Sequence, residues 1–236
     1  MKEYDFKFTK KWFDGNIPYI GDILIKEYSS RPINILEIGA YECYSTMWFL
    51  DNVAKHPDSR ITTIEANAQP NLYHNVGLLD QDDRKKLAVH QGLSKDILPI
   101  LGGEYDLIYI DGSHFPDDIM TDGVLAFNKL KVGGHIIFDD FHIHRVKGFD
   151  YLSDKEKQHY SELYGKKQLR EKLGSLAGMY PSLTDPVFNT VTPHEVIQFF
   201  YTIYGSVLEP IDLKTHLCMM YKRIGTSTMD ILGVKP

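Results

Sequence analysis

The sequence predicts an α/β protein built on a parallel sheet. Short, apolar, β-branched runs alternate with stretches of helical period up to residue 140, and two of those runs end on carboxylates. Asp111 follows Tyr105–Ile110, and Asp139-Asp140 follows His135–Phe138. Strands separated by helices of this length make βαβ units with right-handed crossovers.

Taken in order, residues 17–28 place Ile20, Ile23, Leu24 and Glu27 at helical spacing, with Pro18 suited to a first turn, so residues 1–30 read as a leading helical segment. Ile33–Ile38 is a first strand. Ser45–Lys55 carries Met47, Leu50 and Ala54 on one helical stripe, and Ile61–Ile64 is a second strand. Asn67–Asp80 fits a helix, and Leu87–Gln91 and Tyr105–Ile110 are strands three and four. Ile119, Gly123, Phe127 and Leu130 then repeat near the 3.6 period, with Gly133-Gly134 expected to end that helix before the fifth strand, His135–Phe138.

After Asp140 the alternation stops, and residues 145–190 read as a polar insertion over the sheet mouth. Regular structure resumes at Thr192-Pro-His-Glu195, a capping box with proline at the first helical position, leading into Val196–Tyr204. Ser206–Leu213 and Leu217–Arg223 bring the count to seven strands, and one domain over residues 1–236 is expected.

A chain of 236 residues that is 43% hydrophobic can bury one sizeable core. Its net charge of -6 gives no general basic field for a phosphate backbone, which argues against nucleic acid. Cys43 and Cys218 are the two cysteines, too few for a disulfide framework. No run approaches a membrane span, and the first residues lack the apolar core of a leader, so the expectation is a cytoplasmic protein with no membrane partner.

Parallel neighbouring strands would set the carboxylates side by side at the edge where open α/β sheets bind ligands, and hard oxygen donors there suit a divalent cation. The first strand leaves through Leu36-Glu37-Ile38-Gly39, where Gly39 permits a tight turn and close approach to a ligand. A dinucleotide fingerprint needs glycines at three positions, and one is in place, which disfavours a nicotinamide cofactor. Glu65 ends the second strand where an acid meets a ribose diol. Gly92-Leu93-Ser94 follows the third, where a hydroxyl can meet an adenine edge.

In that order the pattern resembles the class I S-adenosylmethionine-dependent methyltransferases over roughly residues 6–224. Glu37-Ile-Gly39-Ala40 looks like the family's cofactor loop, flanked by Tyr41 and Ser45. Glu65-Ala66 looks like its ribose acid, and Gly92-Leu93-Ser94 like its adenine turn. The resemblance implies a Rossmann-like seven-stranded sheet, mostly parallel with a C-terminal antiparallel hairpin, and helices on both faces.

Asp111 with Asp139-Asp140 is similar to the metal-dependent O-methyltransferases, the catechol-type and macrocin-type sugar enzymes among them. Carried over, Asp111, Asp139 and Asp140 would hold Mg2+ or Mn2+, and Asp111 would also face the cofactor. Where catechol-type enzymes place a lysine three residues after the first metal aspartate, this chain has His114. An imidazole with pKa near ~6.5 suits proton transfer at neutral pH, and His142 and His144 are rivals for that role. A second departure is Cys43, which stands where the family's loop has another glycine. Trp12-Phe13 are read as core packing, with cover over the site as the alternative.

The function expected is divalent-metal-assisted O-methylation of a small hydroxylated molecule, a sugar being one candidate class. The rival is a metal-independent methyltransferase acting on nucleic acid or protein. The eight Lys/Arg against five Asp/Glu over residues 145–172 suit that rival, though such a run is usually a solvated face. Whether the leading helix and the insertion pack on a partner subunit is left open, so a homo-oligomer stays possible.

Overall fold

A computed structural model of the chain describes residues 4–141, Gln158, 192–215 and 217–226. Seven strands form one sheet: β1 (Asn34–Ile38), β2 (Arg60–Glu65), β3 (Leu87–Gln91), β4 (Tyr105–Ile110), β5 (Leu130–Phe138), β6 (Leu208–Ile211) and β7 (Met219–Arg223). Their order is β3-β2-β1-β4-β5-β7-β6. The first five are parallel, while β7 runs antiparallel to both β5 and β6. The mostly parallel sheet with its C-terminal antiparallel hairpin is thus present.

β4 is buried along its whole length, as expected of a strand covered on both faces. α1 (Ile17–Tyr28), α2 (Tyr44–Asn52) and α3 (Pro70–Leu78) pack with Ile35, Leu107 and Tyr109 into one apolar cluster. α5 (Ser94–Ile97), α6 (Pro116–Phe127) and α7 (Pro193–Tyr204) pack with Leu36, Ile108 and Ile110 into a second. Adjacent strand residues therefore feed opposite clusters, the period-2 signature of a sheet with helices on both faces.

Four expectations need correction. The helix expected over Ser45–Lys55 ends at Asn52, so Ala54 lies beyond its stripe. The helix expected over Asn67–Asp80 stops at Leu78, and a separate α4 (Gln81–Lys86) follows. Asp80 caps it, its carboxylate accepting from Asp82 N and Asp83 N at 3.0 Å each. Leu130 and Gly133-Gly134 belong to β5, not to the end of α6, which stops at Phe127. Tyr105 pairs with Leu130 before a register shift to Leu107 and His135, and Gly133, at φ 87°, takes up the irregularity. The last two strands are shorter than expected, because Ser206–Val207, Asp212–Leu213 and Leu217–Cys218 lie outside the ladder. The expected insertion at 145–190, Gln158 apart, lies outside the described residues, as do His142 and His144.

Candidate active site at the carboxyl edge of the sheet

The ladder continues one residue beyond each parallel strand and aligns the site. Gly92 N donates to Glu65 O, Gly39 N to Ile64 O, Asp111 N to Ile38 O and Asp139 N to Ile110 O, at 2.8 to 3.0 Å. Gly92, Gly39, Asp111 and Asp139 thus stand in a row along one edge, and the sheet order reverses between β1 and β4, where such folds open a crevice. Gly39 sits at φ +91°, and a Cβ built on it would lie 1.9 Å from Asp111 O. No other residue fits where the β1 and β4 exits touch.

Two cavities open on this edge and share Gly39, Glu65 and Gly112 as walls. The larger, about 700 Å3, reaches Asp111, His114, Asp139 and Asp140, with Trp12, Asn16 and Tyr41 opposite. The smaller, about 270 Å3, runs past Ala66 to Gly92, Leu93 and Ser94 and is closed by Asp118 and Asp122 of α6.

Glu65 at the junction has a fixed orientation: Tyr41 N donates to Oε2 at 2.6 Å and Asn67 N to Oε1 at 2.8 Å. The β1–α2 loop that supplies Tyr41 is bent hard, with Tyr41 at φ 49° and Cys43 at φ 65° in the left-handed region. The position where the resembled family has glycine therefore keeps a glycine-like backbone in this chain, at a cost of about 1–2 kcal/mol for a non-glycine residue. Cys43 itself is fully buried, and burial pushes its thiol up to about 12, so it is an inert core group.

At the far end the carboxylates crowd together. Asp111 is raised well above the carboxylate range by burial and by repulsion from Asp139 and Asp140, and Asp139 is raised by burial and Asp140. Single ligand atoms of Asp111, His114 and Asp140 all lie within 4.8 Å of one another, and His114 Nε2 is 2.7 Å from Asp140 Oδ2. Asp139 is engaged differently. Its Oδ2 accepts from Tyr109 Oη at 2.5 Å and Asn16 Nδ2 at 2.8 Å, and its Oδ1 accepts from Asp140 N at 2.8 Å. Asp140 itself stands at φ 57°, a strained backbone of the kind that gathers at functional sites.

The donor set suits a hard divalent cation: carboxylate oxygens that repel one another, with one imidazole beside them. Asp111, Asp140 and His114 stand closest, with Asp139 one hydrogen-bonded step behind.

Residues 36–141, which line the whole of the smaller cavity and most of the larger, match the family model described as a methyltransferase domain. Over that stretch the chain is similar to methyltransferase domains. A curated relative, the O-methyltransferase hkm8 of Aspergillus hancockii, is 29% identical over 112 residues, covering 48% of this chain and 44% of that protein, so the chain spans under half of that relative's length. Among solved structures, the O-methyltransferase TomG of Streptomyces achromogenes, in complex with SAM, superposes at TM-score 0.53 with 18% identity over 87% of this chain and 79% of that one. The Bacillus cereus O-methyltransferase with SAH gives TM-score 0.51 with 19% identity over 86% and 80%. MycE, of the mycinamycin pathway, with Mg and SAH, gives 0.50 with 16% identity over 92% of this chain and 51% of that chain. These likenesses are of fold.

Along this edge, Gly39, Tyr41, Glu65 and Asp111 come together with Ala66, Gly92, Leu93 and Ser94 on the two cavity walls. Glu37 does not reach them. It is fully buried below the loop, where Ser45 Oγ and Thr46 Oγ1 each donate to it at 2.5 Å, so Ser45's hydroxyl is spent on holding α2. Ala40 is likewise buried. Trp12 and Phe13 divide the two roles expected of them: Phe13 is 4% exposed in the core, and Trp12, 68% exposed, lies at the larger cavity beside Tyr41 at 5.4 Å between ring centroids.

Asn16, Tyr109 and Asp122 are site residues that the sequence reading passed over. No linear pattern connects residue 16 with residue 139. Asp122 had a legible signal, as an acid on the buried stripe of α6 beside Ile119, Gly123 and Ala126.

Proposed function

We propose that the protein transfers a methyl group from S-adenosylmethionine to a hydroxyl of a small molecule, assisted by Mg2+ or Mn2+. One observation carries this: the nucleoside-type acid Glu65 and the Asp111, His114 and Asp140 cluster face a single cavity. The TomG and MycE likenesses, with SAM and with Mg and SAH bound, support the same arrangement.

When bound, the cofactor supplies a methyl group on a positively charged sulfur, and the cation supplies acidification of a nearby hydroxyl. The chain does the rest. Glu65, held by Tyr41 N and Asn67 N, still has lone pairs for a ribose diol. The smaller cavity takes the base, and Asp111 stands between the cofactor's methionyl end and the cation. Asp111, Asp139 and Asp140 would hold the ion, which leaves His114 as the group that would take the acceptor's proton, with Asp140 at 2.7 Å stabilising the resulting imidazolium.

Asn16 and Tyr109 lock Asp139, so the acidic wall does not reorganise during reaction. Trp12 and Tyr41 give the acceptor an aromatic rim, and a sugar or other ring with adjacent hydroxyls fits a face that is apolar at the mouth and acidic at the base. The net charge of -6 favours such an acceptor over a polyanion. Two buried free thiols are consistent with work in a reducing cytoplasm. No helix among the described residues is long and apolar enough to cross a membrane.

The test is methyl transfer to a panel of vicinal diols, with EDTA and after Mg2+ or Mn2+ is restored. Activity is expected to vanish on chelation and return with the metal, and to fall at least ~100-fold in Asp140→Ala. Transfer that survives EDTA, together with a fully active Asp139→Ala protein, would sink the metal-assisted reading.

A further inference from the structure

Asp122 is the one acid on the inward stripe of α6. Ile119, Gly123, Ala126 and Phe127 around it are buried, and Asp122 itself is 2% exposed. Burying a carboxylate against an apolar stripe is costly unless hydrogen-bond donors meet it. Among the described residues the donor it finds is the Ser94 hydroxyl, and the nearby charge acting on it is Asp118, of the same sign. Burial, with Asp118 adding and Ser94 opposing, pushes its carboxyl up to about 6, which marks an acceptor short of donors. The other two polar side chains of α6 on this wall are committed: Asp118 Oδ2 accepts from Ser113 Oγ at 2.7 Å, and Thr121 Oγ1 donates to Asp117 O at 2.7 Å.

The carboxylate also faces the cavity. Asp122 lines the smaller cavity beside Ser94 and Gly112, and its Oδ2 stands 3.6 Å from where a Cβ on Gly112 would lie. That cavity begins at Glu65, runs away from the Asp111 cluster, and is walled by Ile38, Ile64 and Leu93. A flat base entering past Glu65 meets apolar faces first and an acid at its edge.

We infer that Asp122 is the residue that selects the nucleobase, its carboxylate accepting a hydrogen bond from the exocyclic amine of a 6-aminopurine. This rests on the S-adenosyl reading of the site. A 6-oxo base would turn a carbonyl oxygen toward the carboxylate instead of an N–H, leaving two acceptors facing each other without a proton. The discrimination follows from a buried polar group left unpaired, the kind of contact that separates close analogues best.

The experiment is calorimetric titration of the full chain with S-adenosylhomocysteine and with its deaminated 6-oxo analogue, S-inosylhomocysteine. The wild-type protein is expected to bind the 6-oxo analogue about 10- to 100-fold more weakly. In Asp122→Asn, whose amide can turn an N–H toward a carbonyl, the two affinities should close to within about threefold, chiefly through a gain for the 6-oxo analogue. An Asp122→Asn protein that keeps the wild-type ratio overturns the assignment, and so does a wild-type protein that binds both equally, whether or not the variant folds. If S-adenosylhomocysteine fails to bind the wild type at all, the S-adenosyl reading falls first and this inference with it.

Discussion

Gly39 shows how little freedom the site leaves a single residue. Its missing Cβ is what lets the β1 and β4 exits touch, since an added one would be 1.9 Å from Asp111 O and 2.6 Å from Gly112 Cα. Gly39→Ala is expected to cost about 2–4 kcal/mol and to abolish S-adenosylhomocysteine binding, read by thermal unfolding and calorimetry. An alanine variant that unfolds and binds like wild type would show that the two loops do not need this contact. Asn16 poses a gentler question, because it joins the N-terminal segment to Asp139 through one amide. Asn16→Ala should lower turnover about tenfold while the protein stays folded, because Asp139 keeps Tyr109 and loses one of its two side-chain donors. Glu65, Asp111 and Asp140 were legible in the sequence because a residue's place just after an apolar strand fixes its place at the sheet edge. Asn16 and Tyr109 were not, because their role comes from a contact across 123 and 30 residues of chain, respectively, to Asp139.

Elements were readable wherever local chemistry agreed with tertiary demand. The α7 capping box is one such place: Thr192 Oγ1 accepts from Glu195 N at 3.3 Å, while Glu195 Oε2 accepts from Thr192 N at 2.8 Å. Thr192→Ala is expected to cost about 1 kcal/mol, a drop of about 2–4 °C in the unfolding midpoint, with ligand binding unchanged. The start of β5 was misread because Leu130 continues the helical stripe of α6 in sequence while the sheet claims it through Tyr105. Pairing decided the boundary, and only the three-dimensional register reveals pairing.

β5 also carries His135, 4% exposed, whose Nδ1 lies 2.5 Å from Tyr28 Oη while that hydroxyl reaches Asp106 O at 3.0 Å. Burial chiefly, with Lys222 adding, pushes its imidazole down to about 4. The folded state thus prefers the neutral ring. Its contribution is complete above the unfolded value of ~6.5 and is lost as pH falls from there toward 4, amounting to on the order of 3 kcal/mol. Denaturant unfolding from pH 7 to pH 4 should therefore show a steeper loss in wild type than in His135→Gln. Parallel curves would mean that His135 takes up a proton as readily in the fold as in the unfolded chain.

At the scale of the whole molecule, the alternation of strands and helices sufficed to place the five parallel strands, because each βαβ unit has one handedness, while the C-terminal hairpin and the helices on both faces were expected from the family resemblance. That same topology converts sequence position into function. The strand order reverses between β1 and β4, and Gly39 and Asp111 emerge there side by side, with Glu65 and Asp139 flanking them on β2 and β5. A nucleoside site and a cation site at one edge is the central claim, and it makes both ligands bind independently of any acceptor. The most direct test is therefore calorimetric titration of the protein with S-adenosylhomocysteine, without and with Mg2+ or Mn2+, in wild type, Glu65→Ala and Asp111→Ala/Asp140→Ala. The account predicts one-to-one nucleoside binding that is lost in Glu65→Ala, and separate cation binding that is lost in the double variant. Nucleoside binding unchanged by Glu65→Ala, or cation binding that survives without Asp111 and Asp140, would contradict it.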